Sequence, residues 1–362
     1  MRFRYGEFDA ERFRRLLAER GLFDLFMQLL LRANGDVEEA LRWMAELRDR
    51  GYLPADFDPG DFRRRLEEEG LIQAAGEGGA TLTGKGEKRI RTESLAMIFS
   101  SLARGAEGDH PTAHEGGSGE PMAETRPYEF GDAAADIDYL TSIKNAVGRS
   151  GELALGEEDL EVYERHHQTS CATVLLLDIS HSMILYGEDR ITPAKQVALA
   201  LSELILTRFK HDSLDVVLFG DEAIPVSVRD LPYVGAGPYH TNTRAGLRAA
   251  QEILTAKKHT QKQIFMVTDG KPSCMFDEAG RLYKNPFGLD PRIVVKTLDE
   301  ANACRRKRIV ITTFMLAQDQ ELVRFVEELT RVNRGRAYYA SPDRLGGFVF
   351  VDYLKNRRRT VY

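Results

Sequence analysis

Thr173-Val-Leu-Leu-Leu-Asp178-Ile-Ser180-His-Ser182 is the stretch whose reading decides the fold. The run from Thr173 to Leu177 is continuous in apolar character, as in a strand buried on both faces of a sheet. It ends in a carboxylate and two hydroxyls within five residues, a polar turn at the carboxyl end of that strand.

Working outward, strand and helix patterns alternate. Thr192-Pro193 is read as a helix start, with Thr192 as N-cap and Pro193 in the first position. Val197, Leu201, Leu204, Ile205 and Arg208 follow on one stripe. Residues 214–219 and 223–228 flank Gly220-Asp221-Glu222 as an antiparallel hairpin. Then come a helix over 243–255, a strand over 263–268, a helix over 291–306, a strand over 309–314, a helix over 320–330, a strand over 336–340 and a closing helix over 342–355. This order predicts an α/β domain over residues 168–362, a doubly wound, mostly parallel sheet covered on both faces.

Two polar segments join Asp178 at the edge where such sheets hold ligands. Met266-Val-Thr-Asp269-Gly270 brings a second carboxylate, and Tyr239-His-Thr241-Asn-Thr243 a third hydroxyl. An all-oxygen set of two carboxylates and three hydroxyls suits a hard cation rather than zinc or copper. DISHS, the TNT segment and VTDG, in this order, resemble the metal-ion-dependent adhesion site of von Willebrand A domains, over about residues 168–355. The resemblance implies a Rossmann-like fold and a Mg²⁺ ion, with Mn²⁺ or Ca²⁺ as substitutes. Ser180, Ser182 and Thr241 would bind it directly, and Asp178 and Asp269 through waters and hydrogen bonds. Thr241 is chosen over Thr243, which fits the N-cap of the following helix. His181 stands where the family often has Gly, beside the open coordination position.

Other chemistries fit less well. A dehalogenase-type phosphatase needs a second Asp where Ser180 stands, and a serine hydrolase needs a GxSxG elbow. Gly79-Ala-Thr-Leu-Thr-Gly84-Lys85-Gly86 mimics a phosphate-binding loop, yet Gly86 replaces the required hydroxyl. No catalytic residue is assigned, so the expectation is a binding module and not an enzyme.

Residues 1–102 read as a smaller, mainly helical domain. Helices are expected over residues 13–30, over 37–50 and from Asp61 to Gly70, and LIQAAGEGGATL reads as a hairpin before a helix from Gly84. This order resembles part of a winged helix. Residues 103–126, rich in Gly, Glu, Ser and Pro, read as a flexible linker. Residues 127–167 read as a connecting segment, with a helix over 137–147 and an extended piece over 160–163.

A net charge of -6 argues against a chain that coats nucleic acid. Cys171, Cys274 and Cys304 have no CxxC spacing and read as packed thiols in a reducing compartment. No apolar run approaches the ~20 residues that span a bilayer, and no secretory leader is visible, so a soluble cytoplasmic protein without membrane contact is expected. The layout also resembles stand-alone bacterial A-domain proteins associated with AAA+ ATPases of the MoxR or magnesium-chelatase type. What that implies is an adaptor whose metal engages an acidic residue of the ATPase or its client. A nucleic-acid-associated regulator and a metal-dependent hydrolase are the alternatives. The loop 271–290 is long and lies on the metal face, so Lys271, Arg281 and Tyr283, with His181, are the expected partner contacts.

Overall fold

A computed structural model describes residues 10–54, 56–76, 79–105, 125–128, 137–150, 156–163, 170–285, 288–317 and 319–357. The chain forms two units, Met1–Glu107 with Thr169–Tyr362, and Gly108–Gln168.

The first unit begins with α1 (Ala10–Arg32), broken at Gly21, whose φ of 77° no helix interior can hold. Helix α2 (Val37–Asp49) starts at Asp36, whose carboxylate accepts the Glu39 N–H at 2.9 Å. Helix α3 (Pro59–Glu68) starts before the expected Asp61, because Asp58 supplies the capping carboxylate and Pro59 the preset φ. A hairpin of β1 (Ile72–Ala74) and β2 (Ala80–Leu82) leads into α4 (Gly84–Gly105). Gly86 is explained here without any phosphate. A Cβ on it would lie 2.2 Å from the Leu71 carbonyl oxygen, so only glycine lets α4 start against β1. Its N–H donates to Thr83 Oγ1 at 3.1 Å, and Lys85 Nζ to the Glu69 carbonyl at 2.6 Å. Phe26, Leu30, Met44, Phe62 and Ile90 are buried at the centre of these helices.

In the second unit β3 (Thr125–Pro127) pairs antiparallel with β4 (Glu161–Tyr163), and α5 (Tyr139–Ser150) lies between them in sequence. The helix runs two residues later than expected at its start because Asp138 caps it, accepting the Leu140 N–H at 3.1 Å. Arg149 grips Asp159 with two hydrogen bonds of 2.9 and 2.7 Å, and that guanidinium holds the Asp159 carboxyl down at about 2. Most of the expected linker 103–126 lies outside the described residues.

The chain then returns to the first unit through β5 (Cys171–Asp178), α6 (Ile191–Arg208), β6 (Ser213–Phe219), β7 (Ala223–Val226), α7 (Thr243–Ala256) and β8 (Gln261–Thr268). A short hairpin follows, β9 (Cys274–Phe276) and β10 (Leu282–Lys284), inside the segment 271–290 read from the sequence as a long loop. Helix α8 (Pro291–Arg306), β11 (Ile309–Met315), α9 (Gln320–Asn333), β12 (Arg336–Tyr339) and α10 (Leu345–Arg357) complete it. The six-stranded sheet has the order β12-β11-β8-β5-β6-β7, parallel except for the edge strand β7. This is the expected doubly wound α/β sheet. Strand β5 is buried along its whole length, as its apolar run required.

Helix α6 departs from the single stripe read in the sequence. Almost every residue from Ile191 to Ile205 is buried, because the sheet covers one face while α4, α1 and α10 cover the others. Thr192 is not its cap: Arg190 stands at the N-cap, and Asp189 accepts the Thr192 N–H at 3.0 Å. The N-terminal helices and the sheet thus belong to one unit. Arg91 of α4 pairs with the buried Glu203 of α6 at 3.2 Å. Lys195 of α6, wholly buried, donates to the Leu31 and Val234 carbonyls and to Asn34 Oδ1. Among the described residues no helix is long and apolar enough to cross a membrane.

Candidate metal centre

The chain runs from β5 to β6 on one side and later returns to β8 on the other. Strand order therefore reverses between β5 and β8, and their carboxyl ends open onto one crevice. Asp178 ends β5 and Asp269 follows β8. The third segment is drawn in by backbone bonds: His181 N–H donates to the Tyr239 carbonyl at 3.0 Å, and Ser273 N–H to the Thr241 carbonyl at 3.0 Å. Ser273 Oγ in turn accepts the Thr241 N–H at 3.0 Å.

All five residues singled out from the sequence meet here. Ser180 Oγ and Ser182 Oγ are 3.1 Å apart, and Ser182 Oγ donates to Asp269 Oδ1 at 2.7 Å. Asp178 Oδ1 accepts the Ser180 N–H at 2.8 Å, and its Oδ2 accepts the Thr268 hydroxyl at 2.5 Å. The decisive geometry is at Gly270. A Cβ there would lie 2.7 Å from Thr241 Oγ1, 3.1 Å from Ser182 Oγ and 3.4 Å from Asp178 Oδ2. Three oxygens, two from the end of β5 and the turn after it and one from the Thr241 segment, thus face one small space beside the end of β8, which the absent side chain leaves open. That donor set fits a hard divalent cation. Among the described residues no three His, Cys, Asp or Glu side chains gather in a metal-binding group, so hydroxyls supply the rest of this set.

Asp178 and Asp269 are both buried, and together they carry more negative charge than so dry a crevice favours. Burial, with the neighbouring Asp269 charge, pushes the Asp178 carboxyl up to about 7, against hydrogen bonds from Ser180 and Thr268. Its folded value thus stands above the ordinary 3.8. The metal-free protein binds more protons folded than unfolded over that interval, so its stability falls as pH rises from about 4 to about 7. At ~1.4 kcal/mol per unit the loss is on the order of 4 kcal/mol. Urea unfolding in chelator across this range should show the slope in wild type and lose it in Asp178→Asn. An unchanged slope in the variant would assign it to other groups.

Thr268, Gly270, Ser273 and Arg190 also shape the site, and none was singled out from the sequence. Thr268 and Gly270 stood inside the VTDG string. Arg190, whose guanidinium donates to Asp269 Oδ2, carried no signal, since its partner lies 79 residues away. Thr243 is buried in the first turn of α7 and is not its cap; Asn242 is, accepting the Ala245 N–H at 3.0 Å.

The expected partner contacts fare differently. His181 is exposed beside the hydroxyls. Lys271 is tied to Glu321 at 2.7 Å and Asp319 at 3.4 Å, at the start of α9. Arg281 is exposed and holds Asp277 at 3.1 Å, while Tyr283 donates to Asp290 Oδ2 at 2.7 Å. The β9–β10 hairpin is braced on the crevice by Lys284, which donates to Asp221 at 2.8 Å. Cys171, Cys274 and Cys304 are buried, as the sequence reading expected of packed thiols.

A doubly wound sheet of this order, with the polar cluster at its switch point, defines a von Willebrand A-type domain. Residues 171–354 match the family described as Rv0959-like protein, vWA domain, and residues 120–165 match the third domain of the same proteins. The chain belongs to this family, and the expected connecting segment falls largely within that third domain. It is 32% identical over 310 residues to Uncharacterized protein Rv0959 of Mycobacterium tuberculosis and equally to Uncharacterized protein Mb0984 of Mycobacterium bovis. Each match covers 83% of this chain and 45% of the relative, so the chain spans under half the length of these relatives. Among solved structures, the vWF domain of the type V pili tip protein Mfa5 from Porphyromonas gingivalis is similar at 14% identity and a TM-score of 0.44, covering 54% of this chain and 98% of that one.

Proposed function

We propose that this protein is a metal-dependent protein-binding module. The observation that carries the reading is the space beside Gly270, faced by Thr241, Ser182 and Asp178. In it Ser180, Ser182 and Thr241 would hold Mg²⁺ directly, while Asp178 and Asp269 orient those hydroxyls and the ion's waters. Such a set leaves coordination open on the solvent side. The ligand that fills it is a carboxylate of a partner, with His181 at the rim, Lys271 beside the start of α9, and Arg281 and Tyr283 on the neighbouring hairpin. We read binding rather than catalysis because both carboxylates are buried and engaged by hydroxyl or guanidinium donors, which leaves neither placed as a general base.

The finer proposal is a cytoplasmic adaptor whose partner is a AAA+ ATPase of the MoxR or magnesium-chelatase type, or its client. It rests on the resemblance in layout to stand-alone bacterial A-domain proteins. Nucleic acid is not favoured as the partner. Helix α3, which would be the reading helix of a winged helix, balances Arg63, Arg64 and Arg65 with Asp61, Glu67 and Glu68. Arg64 pairs with Asp61, and Arg63 with Glu38 and Glu67.

Capture of a purified MoxR-type ATPase in Mg²⁺ should be lost on chelation and lost again in Ser180→Ala with Ser182→Ala. That variant should melt close to wild type, since only two small hydroxyls are removed. Capture that survives both chelator and the double variant overturns the metal bridge.

A further inference from the structure

One carboxylate of the pair, Asp269, meets a cation in this structure, the guanidinium of Arg190. Its side chain is 13% exposed, and it donates to Asp269 Oδ2, while the Asp269 side chain is 0% exposed. Its Nε and Nη2 donate to the exposed Glu188 Oε2 at 3.0 and 2.7 Å. The backbone fixes the position: Arg190 N–H donates to the Met183 carbonyl at 3.0 Å, closing the loop that follows Ser182. One guanidinium is thus shared between a buried carboxylate of the metal cluster and an exposed one at the rim.

We infer that Arg190 is the resident counter-charge of the metal-free site and an intramolecular competitor of the metal. This rests on the metal site proposed above. Without an ion, the guanidinium balances Asp269 and so offsets part of the cost of two buried carboxylates. A divalent cation in the space beside Gly270 would repel it at short range in a poorly screened crevice. Glu188, already holding two of its N–H groups, is the seat that keeps it when Asp269 turns to the metal. Arg190 therefore weakens metal binding and stabilises the empty site. The relay makes loading depend on ion concentration over a range that a bare pair of carboxylates would saturate.

The test is calorimetric titration of the chelator-stripped full chain with Mg²⁺ and with Mn²⁺ at pH 8, beside thermal melts in chelator. Arg190→Met should bind at least tenfold more tightly than wild type and melt lower without metal. Arg190→Lys keeps the charge and should bind within a few-fold of wild type. Glu188→Gln removes the second seat and should bind more weakly. If wild type binds and both Arg190→Met and Glu188→Gln match it, or Arg190→Met binds more weakly, the competitor is overturned while the metal site stands. If Arg190→Met fails to fold, the Arg190→Lys and Glu188→Gln pair decides. If wild type binds neither ion but Arg190→Met does, both ideas are supported. If no variant binds, the metal reading falls and the competitor with it.

Discussion

Gly270→Ala should bind Mg²⁺ on the order of 100-fold more weakly than wild type, at the upper end of what disturbed ligand support costs. One methyl group suffices because of where it goes. At 2.7 Å from Thr241 Oγ1 it overlaps the oxygen, so either Thr241 rotates away or the end of β8 shifts. Either movement separates the donors. The backbone itself accepts alanine, since Gly270 is not among the positive-φ glycines. The melting temperature in chelator should therefore stay within a few degrees of wild type. Titration calorimetry on the variant is decisive: undiminished Mg²⁺ binding would mean that the ion does not occupy this space.

Lys195→Met should destabilise the first unit by about 2–5 kcal/mol at pH 7, from lost charge-assisted hydrogen bonds worth ~1.5–3 kcal/mol each less the relieved desolvation of the charge. The ammonium ties α6 to three acceptors: the last turn of α1 through Leu31, the following turn through Asn34, and the loop at Val234. Methionine fills the volume but leaves these acceptors unpaired. Burial pushes Lys195 down to about 8, with the Asp189 charge opposing. Below that pH both folded and unfolded chains hold the proton, and this group contributes no slope. Between about 8 and the ordinary 10.5 the unfolded chain keeps a proton that the folded one has released, so stability rises with pH. The full rise is about 3 kcal/mol. The gap between wild type and Lys195→Met should widen over that interval. A gap independent of pH would mean that Lys195 titrates as an ordinary lysine.

How much could be read from the sequence follows from the range of the forces involved. Strand β5 and helix α8 were legible because apolar runs and periodic stripes report burial directly. The five polar residues of the cluster were legible because small hydroxyls and carboxylates at strand ends have few other uses in that arrangement. What stayed hidden depends on contacts between distant residues. The strands β9 and β10 are three residues each, and their brace is Asp221, more than fifty residues earlier. Helix caps were misassigned where Asp58, Asp189 and Asn242 outcompeted neighbouring Asp and Thr residues as acceptors. The burial of α6 on all sides was present in Ala198, Leu199 and Ala200, yet periodicity alone does not say what covers the second face.

The covering of α6 bears on how the chain acquires its structure. Helix α4 ends at Gly105, whereas α6, against which it packs, is complete only at Arg208. A ribosome adding roughly 5–20 residues per second needs seconds to cross that interval, and residues 108–168 are made within it. Through those seconds the faces of α1 and α4 that will meet α6 have no partner, and Glu203 does not yet exist for Arg91 to pair with. The N-terminal helices are made first, but their final packing must wait for α6.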